Sequence, residues 1–248
     1  MAEVKYPLYN ADPATTYSLC ADVAARLDIG LVPTTSSRPT LSQVKAWLNL
    51  AQVDIVNKAV DAAVSTLWKE LVLADTDMTH LADTYSNMAG VYYGGLSYFV
   101  RPIDAELWRA ASDSDPTLSR SRIYPVFLLA KDISANVLKS SLYSASVTRP
   151  IGWIQENRIY VAINTSETLW TGDKIVLRYI QEPALLSSDG AYTTLPRVFQ
   201  DFMIQFAVIQ AKIQDGRIEE ASILQDKYEK GIQAINQMAL TGDYGIGK

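Results

Sequence analysis

The amino-acid pattern predicts an α+β fold: a helical body built from N- and C-terminal helices, with a small antiparallel β domain inserted between them. Three observations carry that prediction. Apolar residues recur every three or four positions near both ends of the chain. Between about 120 and 185 they fall instead into short β-branched and aromatic runs cut by turn residues. Helical spacing then resumes from Phe199. The 248 residues suffice for one large domain or two modest ones with a real hydrophobic core.

Taken in order, Ala14 to Leu27 reads as a first helix, and Gly30, Pro33 and the run Thr34 to Pro39 as a loop. Thr40-Leu41-Ser42-Gln43 fits a capping box, with Thr40 as the cap and Gln43 reaching back. Val44, Trp47, Leu48, Ala51, Ile55 and Ala59 follow at helical spacing. Val53, Val56, Val60, Val64 and Leu67 make a second apolar stripe. Two stripes predict a helix covered on two sides, by its own domain and by a neighbouring subunit. Met78, Leu81, Tyr85, Met88 and Tyr92 predict a third helix over Asp77 to Met88, stopped by Gly90 and Gly94-Gly95. Pro102 blocks a continuous helix, and Ile103 to Ala110 reads as a short one. Ser112 to Pro116 is polar and turn-rich and reads as a linker or exposed loop.

Strand signals follow at Ile123 to Leu129, Tyr143 to Val147, Ile151 to Ile154, Arg158 to Ile163 and Lys174 to Ile180. Phe199, Phe202, Phe206, Ile209 and Ile213 then line one helix. Ala221, Leu224, Tyr228, Ile232, Ile235 and Met238 line another, and Asp215-Gly216-Arg217 turns between them. The expected organisation is an N-terminal helical part (1–112), a β-rich insertion (113–186), a C-terminal helical hairpin packed on the N-terminal part (187–240) and a flexible tail (241–248).

Little in the sequence points to catalysis. The formal net charge is -5, without the basic balance of a general nucleic-acid binder. Cys20 is the single cysteine, so no internal disulfide forms, and it reads as a small buried hydrophobe. His80 is the single histidine; Asp77 and Asp83 flank it at helical spacing, a relay on one reading and a plain surface on the other. The carboxylate pair Asp113/Asp115 lacks the ligand series of a calcium loop, and Glu219/Glu220 suits a helix start. Gly90 to Gly95 has no lysine and hydroxyl pair for phosphate, and reads as flexible backbone at a helix end. No metal site or cofactor is expected. The opening MAEVKYPLYNADP lacks a signal peptide's apolar stretch, and no window is long enough to span a membrane, so folding in a cytoplasm is expected.

Interaction residues are sought among the aromatics, which pair a large apolar body with a polar handle. Tyr92 and Tyr93 cluster after the third helix, and Trp153 and Trp170 lie near strand or turn ends. Trp47, Trp68 and Phe206 read as core. Arg120 and Arg122 fit either a face turned to DNA or an acidic partner, or a solvated strand edge that discourages aggregation.

Three stretches in order carry a family resemblance. They are Leu48-Asn49-Leu50-Ala51-Gln52; Ile175 to Pro183 with Leu185-Leu186; and Leu195 to Phe202, leading to Gln225 to Lys230. With them the chain resembles the head-to-tail adaptor proteins of tailed bacteriophages, especially the tail-tube-collar type of short-tailed phages. Ala191 to Thr194 departs from the family's usual spacing between the second and third stretches. The resemblance implies a virion structural protein without catalysis. It would form a homo-oligomeric ring, commonly of twelve subunits, that docks beneath the portal protein and receives a tail, nozzle or stopper protein. Double-stranded DNA would pass without sequence-specific binding, along a wall whose neutral or acidic charge lets it slide; no membrane is involved. The family's C-terminal contacts, carried over, fall on Tyr244, Ile246 and Lys248. The alternatives are another phage neck, tail-completion or baseplate protein, a ligand-binding module, or an enzyme of unfamiliar type.

Overall fold

The capping box at Thr40 forms: its hydroxyl accepts from the Gln43 amide at 3.4 Å, and the Gln43 side chain accepts from the Thr40 amide at 2.9 Å. It starts α2 (Leu41–Lys58), which follows α1 (Leu19–Leu27), itself capped by the Ser18 side chain. In this computed structural model residues 6–10, 17–80, 88–112, 115–130, 145–164, 167, 169–170 and 172–242 are described, with backbone alone at 88–89, 112 and 115–121.

The architecture is α+β, with N- and C-terminal helices flanking a central, mainly antiparallel β region. Two compact units divide the chain: residues 1–67 with 182–248, and residues 68–181. The first unit is helical. Alongside α1 and α2 it holds α3 (Gln200–Gln214) and α4 (Ile218–Thr241), joined by the predicted short turn through Gly216 at φ +75°. Helix α3 packs against α1, α2 and α4. Leu48, Ile55, Phe199, Met203, Ala207, Tyr228 and Ile232 are among its buried residues. Gly231 lets α4 approach α3 closely, since a Cβ there would stand 2.2 Å from the Phe202 ring.

The second unit is a β-sandwich. Its strands are β1 (Trp68–Ala74), β2 (Thr79–His80), β3 (Met88–Gly94), β4 (Phe99–Ser112), β5 (Asp115–Pro125), β6 (Phe127–Leu129), β7 (Ile151–Gln155), β8 (Arg158–Asn164) and β9 (Lys174–Gln181). One sheet runs β1-β9-β4-β5 and the other β2-β3-β8-β7-β6; β6 and β7 are the one parallel pair among the described strands. Leu73, Ala105, Leu107, Ile175 and Leu177 of the first sheet share a core with Val91, Ile159, Val161 and Ile163 of the second. The alternation of these residues along their strands is what buries one face of each sheet. First and last strands pair, Trp68 opposite Ile180, so the two ends of the insertion lie side by side.

Several expected elements are corrected. The β section begins at Trp68, not at 113, so the N-terminal helical part ends far short of 112. Helix α2 stops at Lys58 because Asn236 of α4 clamps its end: the Asn236 side chain accepts from the Val60 amide and donates to the Lys58 carbonyl, both at 2.9 Å. The ends of the expected helix over Asp77 to Met88 are not helical: Thr79 and His80 are extended and β3 begins at Met88, while 81–87 lie outside the described residues. The short helix at Ile103 to Ala110 is instead part of β4, and Gly90 to Gly94 is strand, not a helix end. Ser112 to Pro116 is no interdomain linker, since Ser112 pairs with Asp115 across a β4–β5 hairpin. Trp68 is 47% exposed rather than core, and Trp47 and Phe206 are half-buried.

Candidate interaction surface

The resemblance stretches meet around α2. The Asn49 side chain accepts from the Leu186 amide at 2.8 Å and donates to the Leu186 carbonyl at 3.3 Å. Gln52, fully buried, donates to the Ala184 carbonyl at 3.3 Å and accepts from the Thr193 hydroxyl at 2.6 Å. Two neutral amides on one helix thereby pin the chain that returns from the β unit, satisfying polar groups that burial would otherwise penalise.

Pinning that segment leaves apolar surface in the open. Gln43, Ala46, Leu50, Val53 and Asn57 recur at three- and four-residue spacing on the outer side of α2, and none is charged. Leu50 is 56% exposed, and Leu185 in the pinned segment is 71% exposed. The charges of α2 are turned to partners within the unit. Lys45 pairs with Asp189 and lies over the Tyr9 ring. Asp54 accepts from the Tyr228 hydroxyl at 2.6 Å and pairs with Lys58 at 2.9 Å. Burial, reinforced by the Asp54 carboxylate, pushes the Tyr228 phenol well above its usual range, so it remains a donor. The row thus carries no charge and is apolar at Ala46, Leu50 and Val53, with an amide at either end.

The predicted contact residues are dispersed. Trp153 is 6% exposed and thus not a free surface: its ring stacks on Tyr160 at 5.2 Å and 4°, and Tyr160 stacks on Tyr92 at 5.4 Å. The three are opposite one another on β7, β8 and β3, so register alone builds the ladder. Because the rings face each other, with the Arg158 guanidinium 5.4 Å from the Tyr92 centroid, the ladder offers no open stacking platform. Tyr93 packs on the sandwich core. Trp170 lies half-buried under two guanidiniums, Arg109 at 3.9 Å and Arg122 at 5.6 Å. Tyr244, Ile246 and Lys248 lie outside the described residues.

No catalytic constellation emerges among the described residues. His80 sits exposed on β2, not on a helix, so its expected spacing to Asp77 has no geometric basis. Burial pushes the Cys20 thiol up to about 12, which keeps it protonated and unreactive. No group of three or more potential metal ligands occurs among the described residues. No described helix is long and apolar enough to cross a membrane.

Sequence reasoning missed Leu50 and Leu185 as exposed surface residues. The signal for Leu50 was available, since it stands opposite the buried stripe of α2 in a position where a polar residue is expected. In comparison with known proteins, no family model matches the chain and no curated protein matches it significantly.

Proposed function

We propose that this chain is a structural subunit of a phage head-to-tail adaptor ring, docking under the portal, extending the DNA channel and receiving tail or nozzle proteins. The observation that carries the reading is the uncharged outer row of α2 with Leu185 beside it. Leu50 and Leu185 fall in two of the stretches on which the family resemblance rests, and an uncharged apolar surface asks for a protein partner rather than a small substrate. The acidic net charge suits a wall along which DNA slides. No catalytic step is needed for this role.

The test is native mass spectrometry of the purified chain, alone and mixed with the portal encoded beside it. The adaptor reading expects a closed multiple that forms on the portal and is lost with Leu50→Asp. A chain that ignores the portal across a range of salt sinks the docking claim. A closed multiple formed without portal binding transfers the protein to another neck, tail-completion or baseplate position.

A further inference from the structure

We propose that the open edge of β1 is a docking site for an extended, basic segment of a partner protein, which adds to the first sheet as a further strand. The inference does not depend on the adaptor reading. It starts from an imbalance in β1. The strand is terminal in its sheet, and of its seven residues Leu73 alone is buried. Trp68 is 47% and Val72 44% exposed, and Glu70 between them is exposed as well. All three point to the outer face of the sheet, because the opposite parity carries Leu71 and Leu73 toward the core.

Part of the edge backbone has no strand partner among the described residues. The Ala74 amide is turned away from β9 and donates to the Asp77 carboxylate at 3.4 Å. The β1–β9 register runs from Trp68 to Ala74 without a bulge. In an antiparallel ladder alternate residues direct both backbone groups to the same side, so Glu70 and Val72 turn theirs to the open edge with Ala74. They have no strand partner there among the described residues. Unpaired edges of this kind accept added strands.

The chemistry of the occupant is written in β9. On the outer face β9 sets Ile180 against Trp68, Arg178 against Glu70 and Val176 against Val72. Its Arg178 is overcommitted: Nε binds Glu70 at 3.1 Å, one terminal nitrogen binds Asp104 at 3.0 Å and the other Glu106 at 3.1 Å. Three carboxylates thus share one guanidinium. The other cations on this face are Lys174, opposite Ala74 and about 13 Å along the strand from Glu70, and Arg101 of β4, opposite Ile180 across β9 from Trp68. A strand arriving on the open side repeats the arrangement of β9. It brings an arginine or lysine opposite Glu70 and aliphatic residues two positions to either side, against Trp68 and Val72. The partner is therefore recognised by an extended pattern of aliphatic, any, basic, any, aliphatic.

The probe is a capped peptide copying Lys174 to Gln181, tested by hydrogen exchange on the full chain. Amides of β1 are expected to exchange about tenfold more slowly at free peptide some ten times its Kd, with exchange in β9 unchanged. A peptide with Arg178→Glu should lose this protection, and the Glu70→Lys protein should restore it for that peptide. Because Glu70→Lys places a cation beside Arg178, Glu70→Gln serves as a second variant, and should abolish discrimination between the two peptides. A third peptide, with Val176→Pro and Ile180→Pro, keeps the charge but lacks the amides that would pair with Val72 and Trp68. Equal protection by this peptide would reduce the effect to charge attraction and overturn the proposal. So would the absence of β1 protection, or protection confined to the helical unit.

Discussion

The two units solve the same problem with different chemistry. Each must bury polar groups where a long connection is held to its scaffold. In the helical unit the fastening is neutral, with Gln52 and Asn49 holding the returning segment at Ala184, Leu186 and Thr193. In the β unit it is ionic. Asp173, fully buried, accepts from Arg109 Nε at 3.0 Å, from the Ala110 amide at 2.8 Å and from the Trp170 amide at 2.8 Å. The neutral fastening loses one modest interaction at a time. The ionic one leaves a charge stranded when either partner is removed, so the β unit concentrates its risk at one point.

That contrast is open to direct attack. Arg109→Ala should cost about 3–5 kcal/mol, read as a fall in urea midpoint followed on strand signals. Replacing the pair together, Arg109→Met with Asp173→Leu, should not restore wild-type stability, because the Ala110 and Trp170 amides lose their acceptor. Full recovery would show that the ion pair, not the carboxylate's three donors, governs the site. In the helical unit, Gln52→Ala should cost about 1–3 kcal/mol, less than the ionic deletion, since the Thr193 hydroxyl and Ala184 carbonyl are neutral. Gly231→Ala falls in a similar range, about 1–3 kcal/mol, through the clash with Phe202. Thr40→Ala should cost about 1 kcal/mol by removing the α2 cap.

The smallest effect separates the units by pH. The Arg178 guanidinium, with the Trp108 indole, holds the Glu106 carboxyl below its usual value of 4.5. A carboxylate with a lowered folded value contributes stability that is present above 4.5 and is lost as pH falls further. Mild acid should therefore weaken the β unit while the Gln52 fastening, which does not titrate, persists. Alkylation of Cys20 supplies the independent probe. Its rate should stay slow in Arg109→Ala if the helical unit outlasts the β unit, and should rise in Gln52→Ala.

How much of this was legible depends on the range of the cause. The α2 cap, the α3–α4 turn and strands β7 to β9 are local, and their residues announce them. The region from Trp68 to Ser112 misled because Met78, Leu81, Tyr85 and Met88 happen to stand at helical intervals. The competing signal was the alternation of Leu71 and Leu73 with more exposed neighbours, which places the two leucines on the sandwich core. The end of α2 could not be read locally at all, since the residue that clamps it, Asn236, arrives from the last helix. The Arg109–Asp173 pair joins residues 64 positions apart, and no periodicity predicts such a meeting. For the contact surface, the aromatic residues drew attention, yet Trp153, Tyr160 and Tyr92 are spent on one another; the apolar members of the α2 row are plain alanine, leucine and valine between two amides.

The helical unit is assembled from both ends of the chain, and a ribosome delivers those ends at different times. Helices α1 and α2 emerge first, but α3 and α4, which cover them, are made last. At about 5–20 residues per second the insertion occupies the interval for on the order of ten seconds. During that wait α2 displays apolar residues on both sides, while the β unit holds its entire sequence as soon as Gln181 is made, before α3 and α4. The nascent β unit is thus positioned to fold alone before release, and the unfinished helices are the segment for which a holding chaperone would have work to do.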